Sequence, residues 1–135
     1  MGLAPVRQAL PLYGKFFRQN EESGTFDDPI TFAARTNDQQ TFPIGSVIYV
    51  PLTHKYYIME DTCGDTSTQG CLNGTHHVDL WMGPPSASGS ALANCEDKNT
   101  PGSAIPVVIN PSPSLPVDIT PEFSNGQCTL HTYAQ

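Results

Sequence analysis

Thirteen prolines and eleven glycines are scattered along 135 residues, and that density leaves little room for a long helix. A proline inside a helix removes a backbone donor and clashes with the preceding turn, while a mid-helix glycine costs about 1 kcal/mol relative to alanine. Only 1–10 shows a helical period. The rest reads as short runs of β-branched and aromatic residues bounded by turn-forming clusters. Strands are predicted at 12–17, 30–33, 47–50, 56–60, 77–82, 107–110 and 128–133, with a short helix around 88–97. The intervening "NEESGTFDDP", "TNDQQTFPIG", "GPPSASGS" and "NPSPSLP" carry turn chemistry. Val117 and Ile119 follow the last of these as further strand material, so 1–135 is read as one all-β domain without internal repeat.

Thirteen acidic against six basic residues give a net charge of −7, and no Lys/Arg cluster is present to neutralise a phosphate backbone. Nucleic acid is not expected as a partner. No apolar run reaches the roughly 18 residues of a membrane span, so no membrane association is expected either. Four cysteines with only 14% charged residues fit an exported, disulfide-stapled domain. The Asn73-Gly74-Thr75 sequon points to the same secreted location. Since 1–12 lacks a sustained apolar core, the chain is expected to be the mature form of a secreted monomer.

The richest stretch is "KYYIMEDTCGDTSTQGCLNGTHHVDLWMG", residues 55–83. Along "HHVDLWMG" strand alternation sets Val78, Leu80 and Met82 on one face and His77, Asp79 and Trp81 on the other. The apolar set belongs in an interior; Asp79 then projects between an imidazole and an indole, as a sugar-cleaving acid beside a stacking platform would. The plainer alternative is a surface strand with Trp81 packed under a loop. Along "KYYIMED" Tyr57, Met59 and Asp61 alternate with Tyr56, Ile58 and Glu60. If the two strands lie side by side, Asp61 approaches Asp79, and a like charge within about 4–6 Å holds a proton on one of the two. A glycosidic bond needs such a donor, because an alkoxide is a poor leaving group. Asp61 would equally serve to cap the "TCGD" turn.

Cys63 and Cys71 flank a polar loop that also holds Asp65, an exposed spare carboxylate. A Cys63–Cys71 bridge would pin that loop, leaving Cys95–Cys128 to tie the helix to the last strand; four cysteines allow three pairings. Zinc on Cys63, Cys71, His76 and His77 is disfavoured, since the cysteines are too far apart in sequence and adjacent histidines on a strand point to opposite faces. No metal or cofactor is expected. Asp28, just before Pro29, reads as a turn residue.

In order and spacing, "FPIGSVIYVPLTHKYYIMEDTCGD…HHVDLWMG" resembles the three-aspartate domain of bacterial cell-wall proteins. There a Pro-x-Gly-Thr turn leads into V-x-I-P, a strand ending A-x-D-x-G-G, and a strand I-D-L-Y. That domain is the double-psi β-barrel shared by lytic transglycosylases, expansins, family 45 endoglucanases and a group of secreted fungal muramidases. The match covers about residues 42–83, with an echo at "LYGKFF". The resemblance implies a six-stranded double-psi β-barrel with long loops, one or two short helices and two disulfides. It assigns Asp79 as the acid and Asp61 as the second aspartate. Tyr13 would line the sugar groove, and with Trp81, His77, Tyr57 and Asp65 it completes the candidate substrate-binding set. The first aspartate of the trio would fall near Arg35 and Thr36, where there is none although Asp38 is close, and the family 45 base would fall near Gly14 and Lys15, where this chain has no carboxylate. Single-acid chemistry, or a base drawn from elsewhere, is then expected.

The leading expectation is a muramidase or lytic transglycosylase that cuts β-1,4 bonds of peptidoglycan. A family 45 endoglucanase, an expansin-like module that only grips wall glycan, and a structural disulfide-rich domain are the alternatives.

Overall fold

The computed structural model describes residues 5–8, 22–35, 38–62, 78–82, 90–99 and 105–134. Among these residues the strands are β1 (Pro5–Gln8), β2 (Ile30–Ala34), β3 (Val47–Val50), β4 (Lys55–Thr62), β5 (Val78–Leu80), β6 (Ile105–Ile109), β7 (Phe123–Ser124) and β8 (Gln127–Cys128), and a helix, α1 (Ser90–Asn99), lies between β5 and β6. The first six strands form one sheet in the order β1-β6-β3-β4-β2-β5, and five strands of it curl into a half-barrel.

β2, "ITFAA", is buried at all five positions. It lies between β4, to which it is parallel, and β5, to which it is antiparallel. A strand covered on both faces needs a continuous apolar run rather than alternation, and this sequence supplies it. Its single hydroxyl, on Thr31, donates to Glu60 Oε1 at 2.7 Å. One face carries Ile30, Phe32 and Ala34 into a core with Ile48, Tyr57, Met59, Val78 and Leu80. Phe32 and Phe42 meet edge to face there.

Among the described residues, β3 and β4 form the one hairpin in this sheet between strands consecutive in the chain. Its loop is closed by Thr53 N–H donating to the Val50 carbonyl at 3.1 Å. In α1, Leu92 and Cys95 lie three residues apart and both face the core. Cys95 is bridged to Cys128 on β8, the pairing expected for these two cysteines. Cys63 and Cys71 lie outside the described residues.

Several local expectations are corrected. The 1–10 segment contains a strand, Pro5–Gln8, paired antiparallel with β6; a helix this short cannot sustain itself in water, whereas a sheet edge offers partners at once. In the predicted strand at 128–133 only Cys128 is in a strand, and Val117 and Ile119 are in none. Residues 110–134 instead form a strap over β3 and β4, tied by hydrogen bonds from side chains and from main chain to main-chain carbonyls. Tyr49 Oη donates to the Pro116 carbonyl at 2.5 Å, Tyr56 Oη donates to the Ser112 carbonyl, and Tyr133 N–H donates to the Leu52 carbonyl at 2.8 Å. The ring of His54 stacks on Tyr133 with centroids 3.6 Å apart. Proline in this segment rules out a regular ladder without ruling out such ties.

Gly24 sits where the chain turns toward β2, with φ +86°. A Cβ there would come within 2.9 Å of the Lys55 Cγ. Gly24→Ala is therefore expected to cost about 1–3 kcal/mol through strain and overpacking together, measured by urea unfolding; an unchanged midpoint would show that the stem of Lys55 moves aside freely.

Candidate functional site

Pairing places Asp79 opposite Ala33, and Ala33 opposite Asp61. Residues paired across a sheet share a face, so the two aspartates project on the same side with a methyl group between them. Simple alternation along β4 would have put Asp61 with Met59 and Tyr57, facing the core. The register shift between Phe32 and Ala33 prevents this: Met59 pairs with Phe32, and Asp61, two residues on, pairs with Ala33. Such a β-bulge re-aims a side chain at a defined point in a strand, and here it turns Asp61 toward the face of Asp79.

The side-by-side arrangement considered from sequence for the two aspartate-bearing strands is not found, because β2 runs between them. Two strand spacings set the backbones roughly 10 Å apart, beyond direct contact of the carboxyls. Asp79 is also not in an open trough: it is fully buried, while Asp61 is half-buried and Glu60 exposed. The row therefore opens at its β4 end. Tyr57 is likewise no groove residue. It has no exposed surface, because its strand position pairs with Ile30 and Ile48 on the core face. Trp81 follows the end of β5, where alternation lapses, and packs into the core, 5% exposed. Tyr13, His77 and Asp65 lie outside the described residues. Asp28 does hold a turn, its Oδ2 accepting from Ser23 N–H at 2.9 Å and Ser23 Oγ at 3.0 Å. No group of three metal-ligating side chains occurs among the described residues.

A second constellation escaped the sequence. A cleft of about 220 Å³ is lined by Glu22, Asp28, Lys55, Trp81 and Glu122 together with apolar side chains. Glu122 is 5% exposed and accepts from Tyr57 Oη at 2.8 Å; that hydroxyl also lies 2.9 Å from Thr53 Oγ1. Burial pushes the Glu122 carboxyl up to about 7, with Glu22 acting in the same sense and Tyr57 and Lys55 opposing. Burial also raises the Tyr57 phenol well above its ordinary value, with Glu122 reinforcing the effect. The Lys55 ammonium donates to the carbonyls of Asp118 and Thr120; burial lowers its pKa, against the pull of Glu122 and Asp118.

Glu122 is presented by a hairpin. Asn125 and Gly126 both have positive φ and form the two-residue turn between β7 and β8, the conformation for which Asn-Gly is favoured. At the base of the hairpin the Glu122 carbonyl accepts from the N–H groups of Thr129 and Leu130. The signal in the sequence was "EFSNGQC", where Asn-Gly marks the turn and sets Glu122 at its foot. Nothing comparable marked Lys55, which reads as an ordinary strand-end lysine.

The model of the DDB_G0273701 N-terminal domain family matches residues 9–129. The chain belongs to this family. An uncharacterized protein of Dictyostelium discoideum, DDB_G0273701/DDB_G0273221, is 39% identical over 103 residues, which cover 76% of this chain and 43% of that protein. The chain thus spans less than half the length of this relative. No solved structure matches it. In the matched span of the DDB_G0273701 N-terminal domain lie both the Asp61–Asp79 row and the Glu122 cleft.

Proposed function

We propose that this domain cleaves a β-1,4-linked wall polysaccharide, with the muramic acid linkage of peptidoglycan as the favoured substrate. Asp79 is the proton donor and Asp61 the second carboxylate. The observation that carries this is the row Asp79–Ala33–Asp61, in which a bulge brings the second acid onto the face of the first. Carboxyl pairs roughly 6.5–9.5 Å apart leave room for a water between acid and base in inverting glycosidases; here the backbones of the two acids stand roughly 10 Å apart on one face, too far for direct contact of the carboxyls. The resemblance of residues 42–83 to three-aspartate domains supports the same assignment, and with it a six-stranded double-psi barrel acting outside the cell as a monomer.

The test is digestion of purified peptidoglycan, followed by turbidity and by mass spectrometry of the soluble fragments. Asp79→Asn is expected to lower the rate by about 10²–10⁴-fold while unfolding at the same urea concentration. Unchanged lysis by the folded variant would refute the role of Asp79; product mass separates hydrolysis from transglycosylation, since an anhydro sugar lacks one water.

The full burial of Asp79 favours a second reading, an expansin-like module that grips wall glycan without cutting it. It predicts saturable binding to insoluble wall with no new chain ends.

A further inference from the structure

The Glu122 cleft lies on a different face from the aspartate row. Glu122 bonds to Tyr57, Tyr57 pairs with Ile30, and Ile30 points into the core, opposite to Ala33 and its two acids. Four features of the cleft bear on what it holds. Its volume of about 220 Å³ equals roughly seven waters at ~30 Å³ each, the scale of one six-membered ring. Carboxylates stand at two depths, Glu22 and Asp28 with the buried Glu122. The ammonium of Lys55, which also lines the space, is already engaged by two backbone carbonyls. Finally, Trp81 lines the same cleft and is nine-tenths buried, yet its Nε1–H has no acceptor among the described residues. A buried donor left without an acceptor is destabilising, and a ligand oxygen would relieve it.

We infer that this cleft binds a small ligand bearing a primary ammonium on a ring-sized, partly apolar body, the ammonium donating to Glu122 and an oxygen of the ligand accepting from Trp81. An indole beside carboxylates favours such a cation over its neutral counterpart. Among the described residues, the charged and titratable groups facing Glu122 are Lys55, Tyr57 and Glu22. Its carboxyl ionises near pH 7, so affinity for a permanently protonated amine rises between pH 6 and pH 8.

Trp81 is the only tryptophan in the chain, and its emission therefore reports this site directly. The probes are 4-aminocyclohexanol and its neutral counterpart cyclohexane-1,4-diol. The amine is expected to shift the emission saturably and to bind at least ten-fold tighter than the diol. Glu122→Gln is expected to weaken the amine at least ten-fold, and Asp79→Asn to leave it unchanged. Equal binding of amine and diol, or full binding by folded Glu122→Gln, would overturn the assignment. Because the Asp79 row is tested separately on peptidoglycan, either proposal can fail without the other.

Discussion

Lys55→Met is expected to lower the unfolding free energy by about 3–5 kcal/mol, the largest single-residue effect anticipated for this chain. Methionine matches the lysine stem in length, so packing against Gly24 is kept and the loss isolates the ammonium. Lys55 is 1% exposed, and its Nζ donates to the carbonyls of Asp118 and, at 2.8 Å, Thr120. Removing it strands two carbonyls of the strap, at about 1–3 kcal/mol each, and takes a favourable charge away from Glu122. Urea unfolding at pH 7 measures the loss. A double-mutant cycle with Glu122→Gln should recover part of it, because the second change removes the carboxylate left without a counter-charge. A loss below about 1 kcal/mol would mean that water replaces the ammonium and that the strap is not held from β4.

Glu122→Gln is expected to stabilise the protein in alkaline solution and to leave it nearly unchanged in acid. The folded-state carboxyl ionises at about 7 against an ordinary 4.5. Below pH 4.5 both the folded and the unfolded chain carry the proton, and the group has no linked cost. Between pH 4.5 and 7 the unfolded chain releases its proton first, so wild-type stability falls as pH rises. Above pH 7 the penalty is constant, on the order of 3 kcal/mol. Glutamine has no charge to bury and still offers an oxygen to the Tyr57 hydroxyl. The difference between variant and wild type should therefore grow from near zero at pH 4 to its plateau at pH 8. A difference independent of pH would show that the carboxyl is solvated after all. A group that destabilises the fold while lining a cleft is the kind of exception expected at a binding site.

What the sequence conveyed and what it withheld divide along physical lines. The central strands were legible because "ITFAA", "VIYV" and "KYYIMEDT" are dense in β-branched and aromatic residues. Val78, Leu80 and Met82 could be placed inside from their spacing of two. The helix and the Cys95–Cys128 bridge were also foreseen. Asp61 and Asp79 do share a face, but for a reason alternation could not supply, since a bulge depends on the partner strand and not on the strand that carries it. Adjacency failed for the same cause: the order of strands in a sheet is a long-range property, and β2 slipped between the two acids. Tyr57 and Trp81 were read as groove residues because an aromatic suits both a sugar face and a core. Glu122 went unnoticed because its burial is produced by Tyr57, Thr53 and Lys55, all more than sixty residues away in sequence.

The strand order β1-β6-β3-β4-β2-β5 also bears on how the chain reaches this state. Among the described strands of that sheet only β3 and β4 meet a partner that directly follows in the chain, so this hairpin is the natural first structure. Every other pairing must wait for a long loop to close, an entropic delay that places such topologies among slow, millisecond-to-second folders. On the ribosome Pro5–Gln8 is synthesised long before Ile105–Ile109 exists to receive it, and until then the nascent molecule has an open edge to shield from its neighbours.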